Sequence, residues 1–89
     1  MSRKTILGRE LLTDALMTSP NWTHDRWGNF HYVGSALKGD YKIKFQDISV
    51  RLEAKTQSNQ WVKIGGAYYK DITIENGIVN LGGRKYAFL

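Results

Sequence analysis

Ile-Thr-Ile-Glu-Asn-Gly-Ile-Val-Asn-Leu, residues 72–81, carries the strongest local structural signal in the chain. An Asn-Gly pair between two strand-like runs is typical of a type I′ turn, because both central residues of that turn need a positive φ. The turn also fixes the register, so that Ile74 faces Val79 and Ile72 faces Leu81. Both aliphatic pairs then share one face, and the polar pair shares the other. This stretch therefore predicts a β-hairpin with one buried face.

Two further strands flank this hairpin. A Gly-Gly turn followed by residues 84–89 predicts a last short strand, and residues 60–64 predict an earlier one. The Gly-Gly pair at 65–66 predicts a break or bulge at the end of the earlier strand. Alternation along that strand predicts that Val62 and Ile64 point inward and that Trp61 and Lys63 point outward.

Residues 40–55 alternate between apolar and polar side chains in two phases. The phase changes near Gln46-Asp47, and on a regular strand the two apolar sets would point to opposite faces. A β-bulge there returns both sets to one face, so we expect one long bent strand. A tight hairpin is the alternative, but Gln-Asp is poor chemistry for a two-residue turn. The bent strand predicts that four residues are all buried, namely Ile43, Phe45, Ile48 and Val50.

The N-terminal third predicts a helix over residues 5–17, with Thr5 as its N-cap. Apolar residues recur at three- and four-residue spacing and form one stripe, made of Ile6, Leu7, Leu11, Leu12, Ala15 and Leu16. Pro20 ends the helix. A polar loop with two Trp follows at 21–28, and residues 29–33 predict a strand that buries Phe30 and Tyr32.

The order of elements predicts an α+β fold in a single domain, residues 1–89, with an N-terminal helix followed by a five-stranded mainly antiparallel sheet. Short connections favour antiparallel neighbours. The helix lies across this sheet or, alternatively, closes the end of a partly rolled SH3-like or OB-like barrel. That likeness is architectural and implies no function.

Composition excludes several classes of function. The chain has no Cys, so it has neither disulfides nor a thiolate for catalysis, and we expect a reducing, cytoplasmic location. No apolar run approaches the roughly 18 residues that a membrane span needs, so no membrane partner is expected. The net charge of +5 indicates an anionic partner or, alternatively, a charge that only maintains solubility.

A basic and aromatic surface is the main candidate for binding. Alternation puts six such residues on the outward faces of two strands, namely Lys42, Lys44, Arg51, Lys55, Trp61 and Lys63, with Glu53 as the only acid among them. Cations around an exposed indole suit single-stranded nucleic acid. Aromatic residues and Arg also dominate protein-binding hot spots. The remaining alternative is that these are ordinary solvated strand residues, with Trp61 packed under the helix or a loop.

One polar cluster has residue types suited to catalysis, namely His24, Asp25, Arg26 and His31. A His beside a carboxylate can act as a general base, and Arg can stabilise a developing negative charge. The helix followed by Gly-Asn-Phe-His-Tyr, residues 28–32, resembles the start of HicA-type toxin ribonucleases. This resemblance covers the first third of the chain, without the Gly-Ser-His signature, and it implies a ribonuclease that uses His31 and His24.

No motif for a cofactor is found, and two His six residues apart do not have zinc-ligand spacing. The sequence therefore favours a small non-catalytic binding protein over an enzyme. Its size and its lack of Cys are typical of phage-type inhibitors or regulators. We expect it to recognise a macromolecular partner, protein or nucleic acid, through the basic-aromatic sheet surface. A nucleic-acid-binding module and a small toxin-like ribonuclease are the alternatives.

Overall fold

The computed structural model describes residues 2–89, which form one helix, a 3₁₀ turn and eight strands. Helix α1 spans Arg3–Thr18, and the 3₁₀ turn spans Tyr69–Asp71. The strands are β1 (Trp22–His24), β2 (Phe30–Tyr32), β3 (Tyr41–Phe45), β4 (Ser49–Lys55), β5 (Trp61–Tyr68), β6 (Ile72–Glu75), β7 (Ile78–Leu81) and β8 (Arg84–Tyr86). Strands β1–β5 form one antiparallel sheet in sequence order, and β6–β8 form a second.

This architecture confirms the predicted α+β class and the helix followed by a five-stranded antiparallel sheet. The C-terminal strands build a separate three-stranded sheet, and the whole is not a closed barrel. Helix α1 packs against the 3₁₀ turn and β6, so the core lies between the helix and the inner faces of the two sheets. Its largest fully buried side chains are Leu12, Leu16, Ile43, Leu52, Tyr69 and Val79.

Helix α1 begins earlier than predicted and buries a narrower stripe. Its N-cap is Ser2, whose hydroxyl accepts a hydrogen bond from the Thr5 backbone N–H, so the assignment of Thr5 as the cap is wrong. Leu12 and Leu16 are fully buried, whereas the predicted stripe residues Ile6, Leu7 and Leu11 are exposed. The reason is that the helix approaches the 3₁₀ turn through Gly8, where an added Cβ would collide with the Tyr69 carbonyl.

The single bent strand predicted for residues 40–55 is wrong, because the chain forms a hairpin there. Phe45 pairs with Val50 and Ile43 with Leu52, which puts both apolar sets on one face without a bulge. Ile48 lies in the turn and is half exposed, so its predicted burial is also wrong. Ile43 and Val50 are buried as predicted, and Phe45 is partly buried.

Distant contacts stabilise this unfavourable turn. Neither Asp47 nor Ile48 has the positive φ of a favoured two-residue hairpin turn. Instead, Tyr69 donates its backbone N–H to the Ile48 carbonyl at 3.1 Å and its hydroxyl to the Gln46 carbonyl. Tertiary hydrogen bonds thus replace the local turn chemistry that the sequence lacks.

The hairpin at residues 72–81 has the predicted register throughout. Asn76 has a φ of 53° and Gly77 a φ of 77°, as a type I′ turn requires. The two aliphatic cross-strand pairs lie on the buried side, with Ile72, Val79 and Leu81 buried, whereas Ile78 shares the other face with Glu75. Local sequence chemistry was therefore sufficient to predict this element.

Strands β1 and β5 depart from the predictions in detail. β1 lies inside the predicted loop and pairs with β2. Its first residue, Trp22, is buried and donates its indole N–H to the Phe88 carbonyl at 2.7 Å. In β5 the register shifts opposite the Leu52/Glu53 step, so the bulge precedes the Gly-Gly pair and Ile64 is the extra residue. Val62 pairs with Ala54 and keeps the predicted inner side, but it is exposed near the end of the strand. Ile64 has no partner on β4 and is also exposed.

Candidate functional site

The five-stranded sheet has one face packed on the core and one face turned to solvent, which we call the outer face. The register aligns a row across all five strands of this face, made of Thr23, His31, Lys42, Glu53 and Lys63. A second row joins Lys44, Arg51 and Gly66, and Lys55 pairs with Trp61. The structure therefore brings all six predicted binding residues together on one surface.

Charge is concentrated on the outer face. Its strand positions carry five Lys or Arg residues and one carboxylate, Glu53, a net charge of +4 out of +5 for the chain. The remaining cations and carboxylates of the chain nearly cancel. A concentration of one sign of charge on one face attracts an anionic partner and orients its approach.

Glu53 is buried beneath the cations that surround it. Its carboxylate lies 3.4 Å from Lys42 Nζ and 2.8 Å from Arg51 Nε. The Arg51 contact is a close ion pair rather than an aligned hydrogen bond. Glu53 thus neutralises part of the charge and holds two cations in place, while Lys44, Lys55 and Lys63 remain exposed to a partner.

Trp61 is half buried among Lys side chains, as the alternation of β5 predicted. The Lys42 Nζ lies 4.5 Å from the centre of the indole ring, and the Lys55 Nζ lies 5.7 Å from it. Cation–π attraction of this kind favours a fixed ring position. Trp61 therefore belongs to the charged surface rather than to the hydrophobic core.

His31 and Asp25 form the one acid–base pair of the predicted catalytic cluster. His31 Nε2 lies 2.9 Å from Asp25 Oδ2, at the β1 side of the outer face. Asp25 Oδ1 accepts hydrogen bonds from the backbone N–H groups of Trp27 and Asn29. The hydrogen bond from His31, assisted by these two, lowers the pKa of Asp25 from 3.8 to about 2. The pair closes the β1–β2 hairpin, which is a structural role.

The other two residues of that cluster lie away from this pair. His24 pairs with Phe30, and its ring lies 5.8 Å from the Phe30 ring, on the opposite side of the hairpin from His31. Arg26 stacks on exposed Trp27, with 4.7 Å between the guanidinium carbon and the ring centre. The two His side chains therefore do not converge on one reacting atom.

Sequence reasoning missed one aromatic residue of the outer face, Tyr68. It pairs with Ser49, and its side chain is exposed. The one-residue bulge in β5 shifts the alternation, so that Gly66 and Tyr68 share a face with Trp61 and Lys63. Applying the predicted Gly-Gly bulge to the pattern would have identified Tyr68.

Comparison of the chain with protein-family models, with curated proteins and with solved structures finds no match. Within residues 2–89, no group of His, Asp and Glu side chains could hold a metal ion. In the same part of the chain, no helix is long and apolar enough to cross a membrane.

Proposed function

We propose that this chain is a non-catalytic binding protein that recognises an anionic macromolecule through the outer face of its five-stranded sheet. The observation that supports the proposal is the concentration of charge: the outer face carries a net +4 around a half-buried Trp. A charge that served solubility alone would be spread over the whole surface.

The construction of the face supports binding rather than catalysis. Lys44, Lys55 and Lys63 are exposed, and each can displace counterions that are condensed on a polyanion. Glu53 and Trp61 hold Lys42 and Arg51 in place, which lowers the entropy that the side chains lose on binding. On this face, His31 is already paired with Asp25, and the second candidate base, His24, lies on the other side of the hairpin.

Heparin affinity tests the proposal with two double variants that lower the net charge by the same amount. Lys44→Glu with Lys63→Glu alters the outer face, whereas Lys4→Glu with Lys85→Glu alters exposed positions elsewhere. We expect the first variant to elute from heparin at much lower salt than the wild type, and the second to elute close to it. An equal loss of heparin affinity in both variants would show that only the net charge of the chain matters, and the proposal would be wrong.

A further inference from the structure

The two aromatic residues of the outer face, half-buried Trp61 and exposed Tyr68, lie at opposite ends of β5. Trp61 begins the strand and Tyr68 ends it, and the bulge at Ile64 puts both on the same side. Tyr68 is 54% exposed, and the Lys70 Nζ lies 5.9 Å from the centre of its ring. At about 3.3 Å per residue, the two rings are separated by roughly 20 Å of strand.

The surface between the two aromatic rings is basic and open. Lys63 lies between them in sequence, and its Cε is 3.5 Å from the point that a Cβ on Gly66 would occupy. Gly66 presents no side chain, so a shallow cleft runs past Ser49, Lys63 and Tyr68, with Asp71 at its far rim. A flat ligand therefore reaches the backbone at Gly66 when the flexible Lys63 side chain, which lies over it, swings aside.

The residue types of this face favour nucleic acid over protein. Protein-interface cores are depleted in Lys, yet four of the five cations here are Lys. The paired strand positions of the outer face hold no large aliphatic side chain that could fill a pocket on a partner, and the exposed Ile64 is the unpaired bulge residue. Aromatic rings surrounded by cations instead match the way in which single strands are bound, by base stacking and phosphate contacts.

We propose that the outer face binds single-stranded nucleic acid along β5, with Trp61 and Tyr68 each stacking a base and Lys55 and Lys63 contacting the phosphates between them. This inference rests on the proposed function and adds the class of partner. A base that stacks on Trp61 takes the place of a Lys ammonium, which then reaches a neighbouring phosphate. A duplex is a poorer ligand, because its bases are already stacked and paired.

Fluorescence polarisation with a labelled single-stranded 12-mer tests the proposal. We expect Tyr68→Ala and Trp61→Ala each to weaken binding by about 5- to 150-fold, the value of one stacked base. Tyr68→Phe keeps the ring and is expected to bind like the wild type. Phosphate contacts by Lys55 and Lys63 predict a log–log salt slope of about −1.4, or roughly sevenfold weaker binding at 200 mM than at 50 mM salt.

Matched controls identify which part of the proposal fails. Trp27→Ala removes an exposed Trp outside the outer face and is expected to leave binding unchanged. Equal affinity for a 12-bp duplex, unaltered binding by Tyr68→Ala, or equal competition by polyglutamate would overturn the single-strand inference. Heparin binding without oligonucleotide binding would overturn it too and would leave the proposed function standing. A wild-type protein that binds neither heparin nor the oligonucleotide would overturn both the single-strand inference and the proposed function.

Discussion

Glu53 has the most unusual environment of any single residue on the outer face. It is 7% exposed, yet it lies on the solvent side of the sheet, because the long side chains of Lys42 and Arg51 cover it. A carboxylate in such a place sets the positions of the cations and limits the positive charge of the face. Sequence alternation correctly predicted that Glu53 lies on the outer face. Its burial by the aliphatic stems of neighbouring Lys and Arg residues is a property of the folded sheet.

Glu53→Gln is expected to have opposite effects on stability and on binding. Losing two ion pairs in a partly buried site should lower the free energy of unfolding by about 1–3 kcal/mol. The added positive charge of the face should outweigh the loss of side-chain order, so heparin binding should strengthen and the salt needed for elution should rise. Glu75→Gln, an exposed carboxylate on β6, is the matched control and should change neither quantity appreciably. Weaker heparin binding by a folded Glu53→Gln variant would contradict this role.

The ionisation of Asp25 makes the stability of the fold depend on pH in the acid range. Its pKa in the folded protein is about 2, below the unfolded value of 3.8, because His31 and two backbone N–H groups stabilise the carboxylate. Its charge therefore stabilises the fold above about pH 4, and this contribution is lost as the pH falls towards 2. We expect the thermal midpoint of the wild type to exceed that of Asp25→Asn at pH 5, and most of the difference to be lost by pH 2. A difference that is constant over this range would contradict the pairing.

At the scale of elements, the two hairpins show what local sequence can and cannot predict. The Asn76-Gly77 turn was predictable with its register, since both residues have the positive φ that their types favour. The turn at Asp47-Ile48 was not, because Tyr69 stabilises it from more than twenty positions away. Tertiary hydrogen bonds leave no pattern in the residues that they stabilise.

A pair of Ala substitutions distinguishes the hairpin at 41–55 from a bent strand. Ile43→Ala removes a fully buried side chain and should lower the free energy of unfolding by about 2–5 kcal/mol. Ile48→Ala alters a half-exposed turn residue and should cost less than about 1 kcal/mol. Urea denaturation measures both. Similar large losses for the two variants would support the bent strand instead.

At the scale of the whole molecule, one helix serves two sheets, and this determines which face remains free. Helix α1 packs on the inner side, against the 3₁₀ turn and β6, so no helix covers the outer face of β1–β5. All six binding residues predicted from alternation therefore share one open surface. Tyr68 lies on the same surface only because of the bulge in β5. The position of that bulge relative to the Gly-Gly pair depends on the pairing between β4 and β5.

Gly8→Ala tests how the helix packs on the rest of the molecule. Ala favours a helix by about 1 kcal/mol over Gly, so local propensity alone predicts a more stable protein. The added Cβ would meet the Tyr69 carbonyl, and we expect the free energy of unfolding to fall by about 1–3 kcal/mol instead. Glu10→Ala, exposed on the same helix, is the control for propensity. A stabilised Gly8→Ala variant would contradict the close approach.

Amide chemical-shift mapping by NMR tests the central claim most directly, because it locates binding residue by residue. On titration with a single-stranded 12-mer, we expect the largest shifts along β3, β4 and β5 and at the indole N–H of Trp61. The chemical shifts of the Trp27 indole N–H and of the α1 amides should stay unchanged. Shifts centred on Trp27 and α1, with the outer face unchanged, would contradict the assignment of the outer face as the binding surface.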